Sequence, residues 1–248
     1  MMLRHETTID ESVFVRKLLH GVALTADDKE ILRGLTHTVR RVERGDIFLD
    51  GHQPRSIALI LEGWVCRYKQ LENGRRQITS IFIAGDLCEP FGAVPSMMDH
   101  TLAALTKGAL AFVAPRAIRQ AASSNPRVED ALWWDLLFAE ALNREHMVSL
   151  GRRLATERLA FFFCQMHQRL QMIGHVEDAS FELPMTQVDL ADLFGLSPVH
   201  VNRSLQDLRS SGLLSWRGRR ATVRDLPALR DFAMFDPTSF MPMRGVLA

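Results

Sequence analysis

The segment from Thr186 to Arg209 constrains this chain more than any other. It reads Thr-Gln-Val-Asp-Leu-Ala-Asp-Leu-Phe-Gly-Leu-Ser-Pro-Val-His-Val-Asn-Arg-Ser-Leu-Gln-Asp-Leu-Arg. Thr186 suits a helix N-cap, with Asp189 three positions on in capping-box spacing. Leu190, Leu193 and Phe194 give that helix one apolar side. Gly195 suits the left-handed residue that ends it. Ser197 then caps a second helix, and Pro198 fits its first position. Val201, Leu205 and Leu208 recur at i, i+4 and i+7 and form its buried stripe. Val199, His200, Asn202, Arg203 and Gln206 fall outside that stripe.

The residues that follow narrow the reading. Ser211-Gly212 ends the second helix. Leu213-Leu214-Ser215-Trp216 and Ala221-Thr222-Val223 flank Arg217-Gly218-Arg219-Arg220, which reads as a β-hairpin with a basic tip. An ordinary helical hairpin is the plain alternative, but it leaves the basic hairpin unexplained. A winged helix–turn–helix accounts for both parts. Such a unit lays the start of its second helix in a DNA major groove and its basic wing against phosphates.

Composition bounds the rest. A chain of 248 residues suits one large or two modest domains. With 47% hydrophobic and 24% charged residues it matches soluble globular proteins. The formal net charge is +1, so any nucleic-acid surface must come from local arrangement. No apolar run reaches transmembrane length, and Met1-Met2-Leu3-Arg4-His5-Glu6 lacks the apolar core of a signal peptide, so a cytoplasmic location is expected. Cys66, Cys88 and Cys164 form no CxxC pair and read as buried or inert thiols. The nine histidines show no HxxxH or HExxH spacing, so no metal site is expected, and His146 reads as a packing or surface residue. No nucleophile–base pair, metal triad or phosphate loop is present. Asp86, Glu89 and Asp99 read as turn and surface acids, so an enzyme on a small β-barrel is the weaker reading.

Along the chain, residues 8–37 read as short helices anchored by Leu18, Leu19, Leu24, Ile31, Leu32 and Leu35. From about 38 to 114, short β-rich segments alternate with Arg44-Gly45-Asp46, Asp50-Gly51, Glu62-Gly63, Asn73-Gly74 and Gly85-Asp86. Asn73-Gly74 between two strand-like runs is a hairpin signal, and strands at this spacing suggest a small barrel or sandwich. Asn125-Pro126 starts a long helix that breaks near Gly151. One apolar face carries Val128, Leu132, Leu136, Ala139 and Leu142; another carries Ala131, Trp134, Phe138 and Ala141. A helix with two apolar faces must be covered twice, by the β-domain on one side and, along the face of Val128, Leu132, Leu136, Ala139 and Leu142, by a second copy in coiled-coil fashion. Helices of the same chain are the alternative cover. A further helix spans about 153–173, 174–180 is a polar connector, and the tail beyond 225 reads as poorly structured at its end.

This order of β-domain, long helix and winged helix–turn–helix resembles the Crp/Fnr family of bacterial transcription regulators over about residues 12–230. Leu183-Pro184-Met185-Thr186-Gln187-Val188-Asp189-Leu190-Ala191, Gly195-Leu196-Ser197 and Val201-Asn202-Arg203 carry the resemblance. Gly45-Asp46, Ile60-Leu61-Glu62-Gly63 and Gly85-Asp86 resemble the turns of the family's cyclic-nucleotide-binding-type β-roll. The resemblance implies an α+β fold: an N-terminal jelly-roll-like β-roll with flanking helices (12–124), a dimerisation helix (125–150), a winged helix–turn–helix (151–230) and a tail (231–248). It also implies a homodimer on a palindromic operator, RNA polymerase as a partner, no membrane association, and a β-roll whose effector, if it has one, biases the DNA-binding heads. A constitutive regulator with a purely structural β-roll is the alternative.

The departures from the family pattern bear on the effector. Cyclic-AMP-binding members hold ribose with a Gly-Glu pair and the cyclic phosphate with Arg-Ser or Arg-Thr. Here Leu87-Cys88-Glu89-Pro90-Phe91-Gly92 follows Asp86, and about His100-Thr101, preceded by Asp99, stands where the arginine pair is expected. A buried cyclic phosphate needs the firm charge and paired donors of arginine, so tight cyclic-AMP binding is not expected. With no cysteine before Cys66, an iron–sulfur cluster is not expected either. A haem stays open because its ligands vary among relatives. The resemblance places Val199, His200, Asn202 and Arg203 at base edges, and Thr186, Gln187, Val188, Ser197, Arg217, Arg219 and Arg220 at phosphates. Arg203 suits guanine O6 and N7. Many relatives carry glutamate at the position of Val199, and valine there implies a half-site that differs from the common TTGA type at one base pair.

Overall fold

Ile57-Ala58-Leu59-Ile60-Leu61 is apolar at every position because the strand it builds is covered on both faces. In the computed structural model, which describes residues 12–36, 38–50, 56–88 and 99–239, this strand is β3 (Ile57–Glu62). It lies in one of two four-stranded antiparallel sheets. The first has the order β1-β8-β3-β6, with β1 Val39–Val42, β8 Gly108–Val113 and β6 Leu87–Cys88. The second has the order β2-β7-β4-β5, with β2 Ile47–Asp50, β7 Thr101–Ala104, β4 Val65–Gln70 and β5 Arg76–Phe82. Ala58 and Ile60 point between the sheets against Val65, Phe82, Leu102 and Leu110. Ile57, Leu59 and Leu61 point the other way into a core shared with the helices. This is the period-2 alternation of a strand, with both faces buried. The expected hairpin joins β4 to β5, with Gly74 at φ +82°, a conformation glycine adopts without steric cost. Residues 89–92, read above as departing from the ribose-binding pattern, lie outside the described residues.

Two short helices, α1 (Ser12–Leu18) and α2 (Ala26–Arg33), precede the roll, and α3 (Pro115–Ser124) follows it. The long helix α4 runs from Pro126 to Arg152, slightly beyond the expected break near Gly151. Asn125 starts it: its side chain accepts from the N–H groups of Arg127 at 3.0 Å and Val128 at 3.4 Å. Arg153 closes it by donating to Ser149 Oγ at 2.9 Å and Glu145 Oε2 at 3.0 Å. The chain then turns into α5 (Ala155–Met172). Of the face expected to meet a second copy, Val128 is fully buried in the chain's own core. It sits one turn from the N-terminus of α4, where α1 and α2 pack, so it is not available to a partner. Gly21 faces the same helix. A Cβ on it would lie 2.2 Å from the Trp134 ring, so close packing excludes any side chain there.

The remaining elements are β9 (Ser180–Glu182), α6 (Gln187–Phe194), α7 (Pro198–Ser210), β10 (Leu214–Arg217), β11 (Arg220–Val223) and α8 (Leu226–Ala233). The helix α8 crosses the expected boundary between the DNA-binding unit and the tail at 230/231. Asp225 caps it and Pro227 fits its first turn. Phe235 beyond it packs edge-on against Phe161 of α5, with ring centroids 5.1 Å apart.

Two carboxylates and two cations meet where the β-roll joins α5. Lys17 Nζ on α1 lies 2.6 Å from Asp86 Oδ1 and 2.6 Å from Asp135 Oδ1 on α4. Arg169 Nη2 on α5 lies 2.5 Å from Asp86 Oδ2 and donates to the Ile81 carbonyl at 3.1 Å. All four side chains are buried. Burial pushes the Asp86 carboxyl up, but Lys17 and Arg169 together outweigh it and hold Asp86 below its ordinary value. Asp135, buried with Lys17 as its close cation, stays above its ordinary value. Arg16 on α1 and His20 just after it grip the same end of α5: His20 Nε2 donates to the Met172 carbonyl at 3.0 Å, and Arg16 donates to that of Ile173.

Removing one member of a buried ion cluster strands the charge it paired with. Asp86→Ala is expected to cost about 3–5 kcal/mol. Urea denaturation should show a lower midpoint at unchanged m, and a midpoint equal to that of the native chain would contradict this account of the joint.

Candidate nucleic-acid interface

The start signals read in the sequence are made in full by the structure. Thr186 Oγ1 accepts from the Asp189 N–H at 3.1 Å, and Asp189 Oδ2 accepts from the Thr186 N–H at 2.9 Å. Gly195 ends α6 at φ +62°, ψ +35°. Ser197 Oγ accepts from the His200 N–H at 3.3 Å and starts α7, with Pro198 at its head. Val201, Ser204 and Leu208 are the buried residues of α7. Leu205, expected in that stripe, is only partly buried, and Ser204 takes the inner place because α7 packs closely on α5 and α6.

This packing turns Val199, His200, Asn202, Arg203 and Gln206 outward, all of them exposed, with Val199 at 76%. Arg203 has no ion pair among the described residues. Asn202 donates through Nδ2 to Gln187 Oε1 at 3.3 Å and accepts at Oδ1 from Gln206 Nε2 at 2.9 Å.

The phosphate-side residues do not all stand free. The N–H and Oγ1 of Thr186 are both engaged with Asp189, so the amides left open at the start of α6 are those of Gln187 and Val188. The wing is a hairpin of β10 and β11 turning at Gly218-Arg219, with β9 as a third strand beside β11. Sequence reasoning missed β9: it is three residues long, and only its first residue, Ser180, falls within the polar connector expected at 174–180. This strand and the turn before it bring acids to the wing. Arg219 lies 2.8 Å from Glu182, and Arg220 lies 4.0 Å from Glu177. Arg217 is the tip arginine with no acid partner among the described residues.

The first helix of this unit is also held from outside. Arg76, at the start of β5, donates from Nε to Asp192 Oδ2 at 2.8 Å and from Nη2 to Asp189 Oδ1 at 3.1 Å, and its guanidinium lies 5.3 Å from the Tyr68 ring centroid. Arg44 reaches Asp189 at 3.4 Å, and Gln77 Nε2 donates to the Leu193 carbonyl at 2.9 Å. A β-roll hairpin therefore carries α6 on its edge. Nothing local in the sequence marks these contacts.

Between β5, α4 and α5 lies a cavity of about 80 Å³, room for a handful of waters at ~10–15 Å³ each. Arg67, Ser80, Asn143 and His146 line its polar side, and Phe138, Phe161 and Phe194 are among its apolar lining. Arg67 donates to Thr79 Oγ1 at 3.2 Å and to Ser80 Oγ at 2.6 Å, and Ser80 donates to Asn143 Oδ1 at 3.2 Å. The position where a cyclic phosphate would need arginine holds His100, whose Nδ1 lies 3.1 Å from Asp99 Oδ1, and Asp99 pairs with Lys69 at 2.8 Å. A carboxylate there opposes a bound phosphate, so these residues do not fit that ligand. Among the described residues no group of three or more His, Cys, Asp or Glu side chains is placed to hold a metal ion, and no helix is long and apolar enough to cross a membrane. Burial pushes the Cys66 thiol up to about 11 and the Cys164 thiol up to about 12, which disfavours the reactive thiolate.

Comparison with known proteins agrees with this architecture. Residues 39–125 match the cyclic nucleotide-binding domain family, and residues 157–232 match the Crp-like helix-turn-helix domain family. The nitrogen fixation regulation protein FixK of Bradyrhizobium diazoefficiens is 31% identical over 197 residues, covering 76% of this chain and 79% of that one. The chain belongs to the Crp/Fnr family. The FixK protein of Azorhizobium caulinodans is 29% identical over 219 residues, with 86% of this chain and 87% of that one covered. The structure of FixK2 from Bradyrhizobium japonicum superposes with a TM-score of 0.69 at 26% identity, over 79% of this chain and 96% of that one. The chain is thus a DNA-binding transcription regulator of a non-enzyme family, as its residues implied.

His146 gives the α4–α6 contact a pH dependence. Its ring centroid lies 6.0 Å from that of Phe194, and burial, with Arg158 nearby, pushes its pKa down to about 4. The unfolded chain binds this proton near pH 6.5 and the folded chain does not, so stability rises with pH between about 4 and 6.5. His146→Phe should flatten that part of a stability–pH curve measured by urea denaturation; an unchanged slope would assign the dependence to other groups.

Proposed function

We propose that this family member acts in the cytoplasm as a homodimer on a palindromic operator, with its heads set by the β-roll and gated by a small effector there. The observation that carries the gating is the seat of α6 on the roll. Arg76 and Arg44 hold the carboxylates of α6 beside strands that line the cavity. A ligand that shifts β5 therefore moves α6 and, through their packing, the reading helix α7. The cavity residues Arg67, Ser80 and Asn143 favour a small polar effector over a cyclic nucleotide.

The dimer reading rests on α4. Trp133, Leu137, Met147 and Val148 are 45–62% exposed, and Leu132, Leu136, Ala139 and Leu142 are half-buried beside them. Apolar residues at this spacing suit the seam of a helix pair. A symmetric pair of heads places half-sites about 34–36 Å apart, and RNA polymerase is the partner through which such a regulator would act. An effector-independent regulator is the second reading. It is favoured by the recognition face, which is already exposed while α6 is seated on the roll.

At the DNA, Arg203 suits a guanine, Val199 a thymine methyl, and His200 and Asn202 flank them. Gln187, Val188, Ser197 and Arg217 suit phosphates, with Thr186, Arg219 and Arg220 less available. Selection from random DNA should return paired half-sites. Arg203→Ala is expected to cost roughly 1–3 kcal/mol and relax one base pair, whereas Arg217→Ala should weaken all sequences alike. An unchanged selected operator for Arg203→Ala would remove it from the readers. Gating is tested by charge exchange. Arg76→Glu and Asp192→Arg should each change operator affinity several-fold and the double variant should restore it. If neither single variant changes it, the heads are independent of the roll.

A further inference from the structure

Asn202, Gln187 and Gln206 form a line of side-chain amides across the helix–turn–helix. Gln206 Nε2 donates to Asn202 Oδ1 at 2.9 Å, and Asn202 Nδ2 donates to Gln187 Oε1 at 3.3 Å. One contact runs along α7 at i, i+4 spacing, and the other crosses from α7 to the first residue of α6. All three side chains reach solvent, and the exposed Val199 lies one turn before Asn202. Valine offers no polar reading of a base edge, so Asn202 and Arg203 are the polar readers at the centre of this face.

An amide carries two donor hydrogens at its nitrogen and two acceptor lone pairs at its oxygen. Alone at a surface it rotates, and either end can meet the DNA. Here one hydrogen of Asn202 is engaged by Gln187 and one lone pair by Gln206. We infer that Gln206 and Gln187 are positioning residues that fix which way round the Asn202 amide meets its base pair, and so act in operator specificity without being the readers themselves. The free hydrogen then lies on the α6 side and the free lone pair on the Gln206 side. In that order they match the N7 acceptor and N6 donor of an adenine. The same line engages Gln187 through its Oε1 and leaves its Nε2 group, on the first residue of α6, to donate to a phosphate. This inference rests on the proposed reading of a base by Asn202.

A reversal of the line separates it from a merely structural tie. Glutamate at position 206 has no hydrogen to give. It accepts from Asn202 Nδ2 instead, and Asn202 Oδ1 turns toward Gln187, whose own amide rotates to donate. The experiment is operator selection from random duplex DNA with the purified full-length native chain and with Asn202→Ala, Gln206→Ala, Gln187→Ala and Gln206→Glu. Thermal melting of each variant is the control, because two exposed side chains and one half-buried one at the surface contribute little to stability. Asn202→Ala should lower discrimination at one base pair by ~5–150-fold, the range that one bidentate contact supplies. Gln206→Ala and Gln187→Ala should lower it several-fold at that same pair, and Gln206→Glu should change the preferred base there. If Asn202→Ala relaxes no base pair, the proposed reader falls, and the inference with it. If Asn202→Ala relaxes one pair but the glutamine variants leave that pair unchanged, the reader stands and the positioning role is overturned.

Discussion

Lys17, Asp86, Asp135 and Arg169 come from four separate parts of the chain: the first helix, a β-roll turn, the long helix and the first helix of the DNA-binding unit. Each is buried, and a charge on any of them would be solvated far better by water than by protein. Such a cluster contributes little net stability over an apolar filling of the same volume. What it contributes is geometry. Any shift of α5 against the roll separates Arg169 from Asp86, and any shift of α1 separates Lys17 from both carboxylates. The grip of Arg16 and His20 on the last carbonyls of α5 acts in the same place. The root of the DNA-binding unit is therefore fixed to the β-roll through buried charge.

The far end of that unit is held differently. Arg76 and Asp192 are partly exposed, at 30% and 25%, and their attraction is screened by water and salt. One joint is buried and costly to break; the other is wet and inexpensive to rearrange. A head anchored at its root and lightly seated at its tip is suited to pivot. The cavity between β5, α4 and α5 lies between the two joints, and its lining includes both Arg169 and Leu193.

Short-range structure was largely legible in the residues. The Thr186–Asp189 box, Gly195, Ser197-Pro198 and Asn73-Gly74 each state a local geometry within a few positions, and each appears as read. Misreadings arose where long-range packing decided between equivalent local choices. Val128 shares the periodicity of Leu132 and Leu136 but lies where α1 and α2 cover α4. Leu205 yields the inner place on α7 to Ser204 because a small side chain lets the helices approach. The wing reads as three phosphate-facing arginines, but Glu182 on β9 and Glu177 just before it stand beside two of them. The ion cluster and the Arg76 contacts join residues from 69 positions apart (Lys17 and Asp86) to 118 (Lys17 and Asp135), and no periodicity records such pairs.

By itself, the sequence determined the elements and the class of function. Caps, turns and apolar periods act over a few residues, so they are written where they act, and they specify a β-roll, a long helix and a winged helix–turn–helix. Only the tertiary structure decided how these parts bear on one another: which face of α4 stays open, which acids α6 gives up to the roll, and which amides flank Asn202. Those outcomes depend on charges and volumes meeting across the fold. A carboxylate or an amide finds its partner only after the chain has brought the two together.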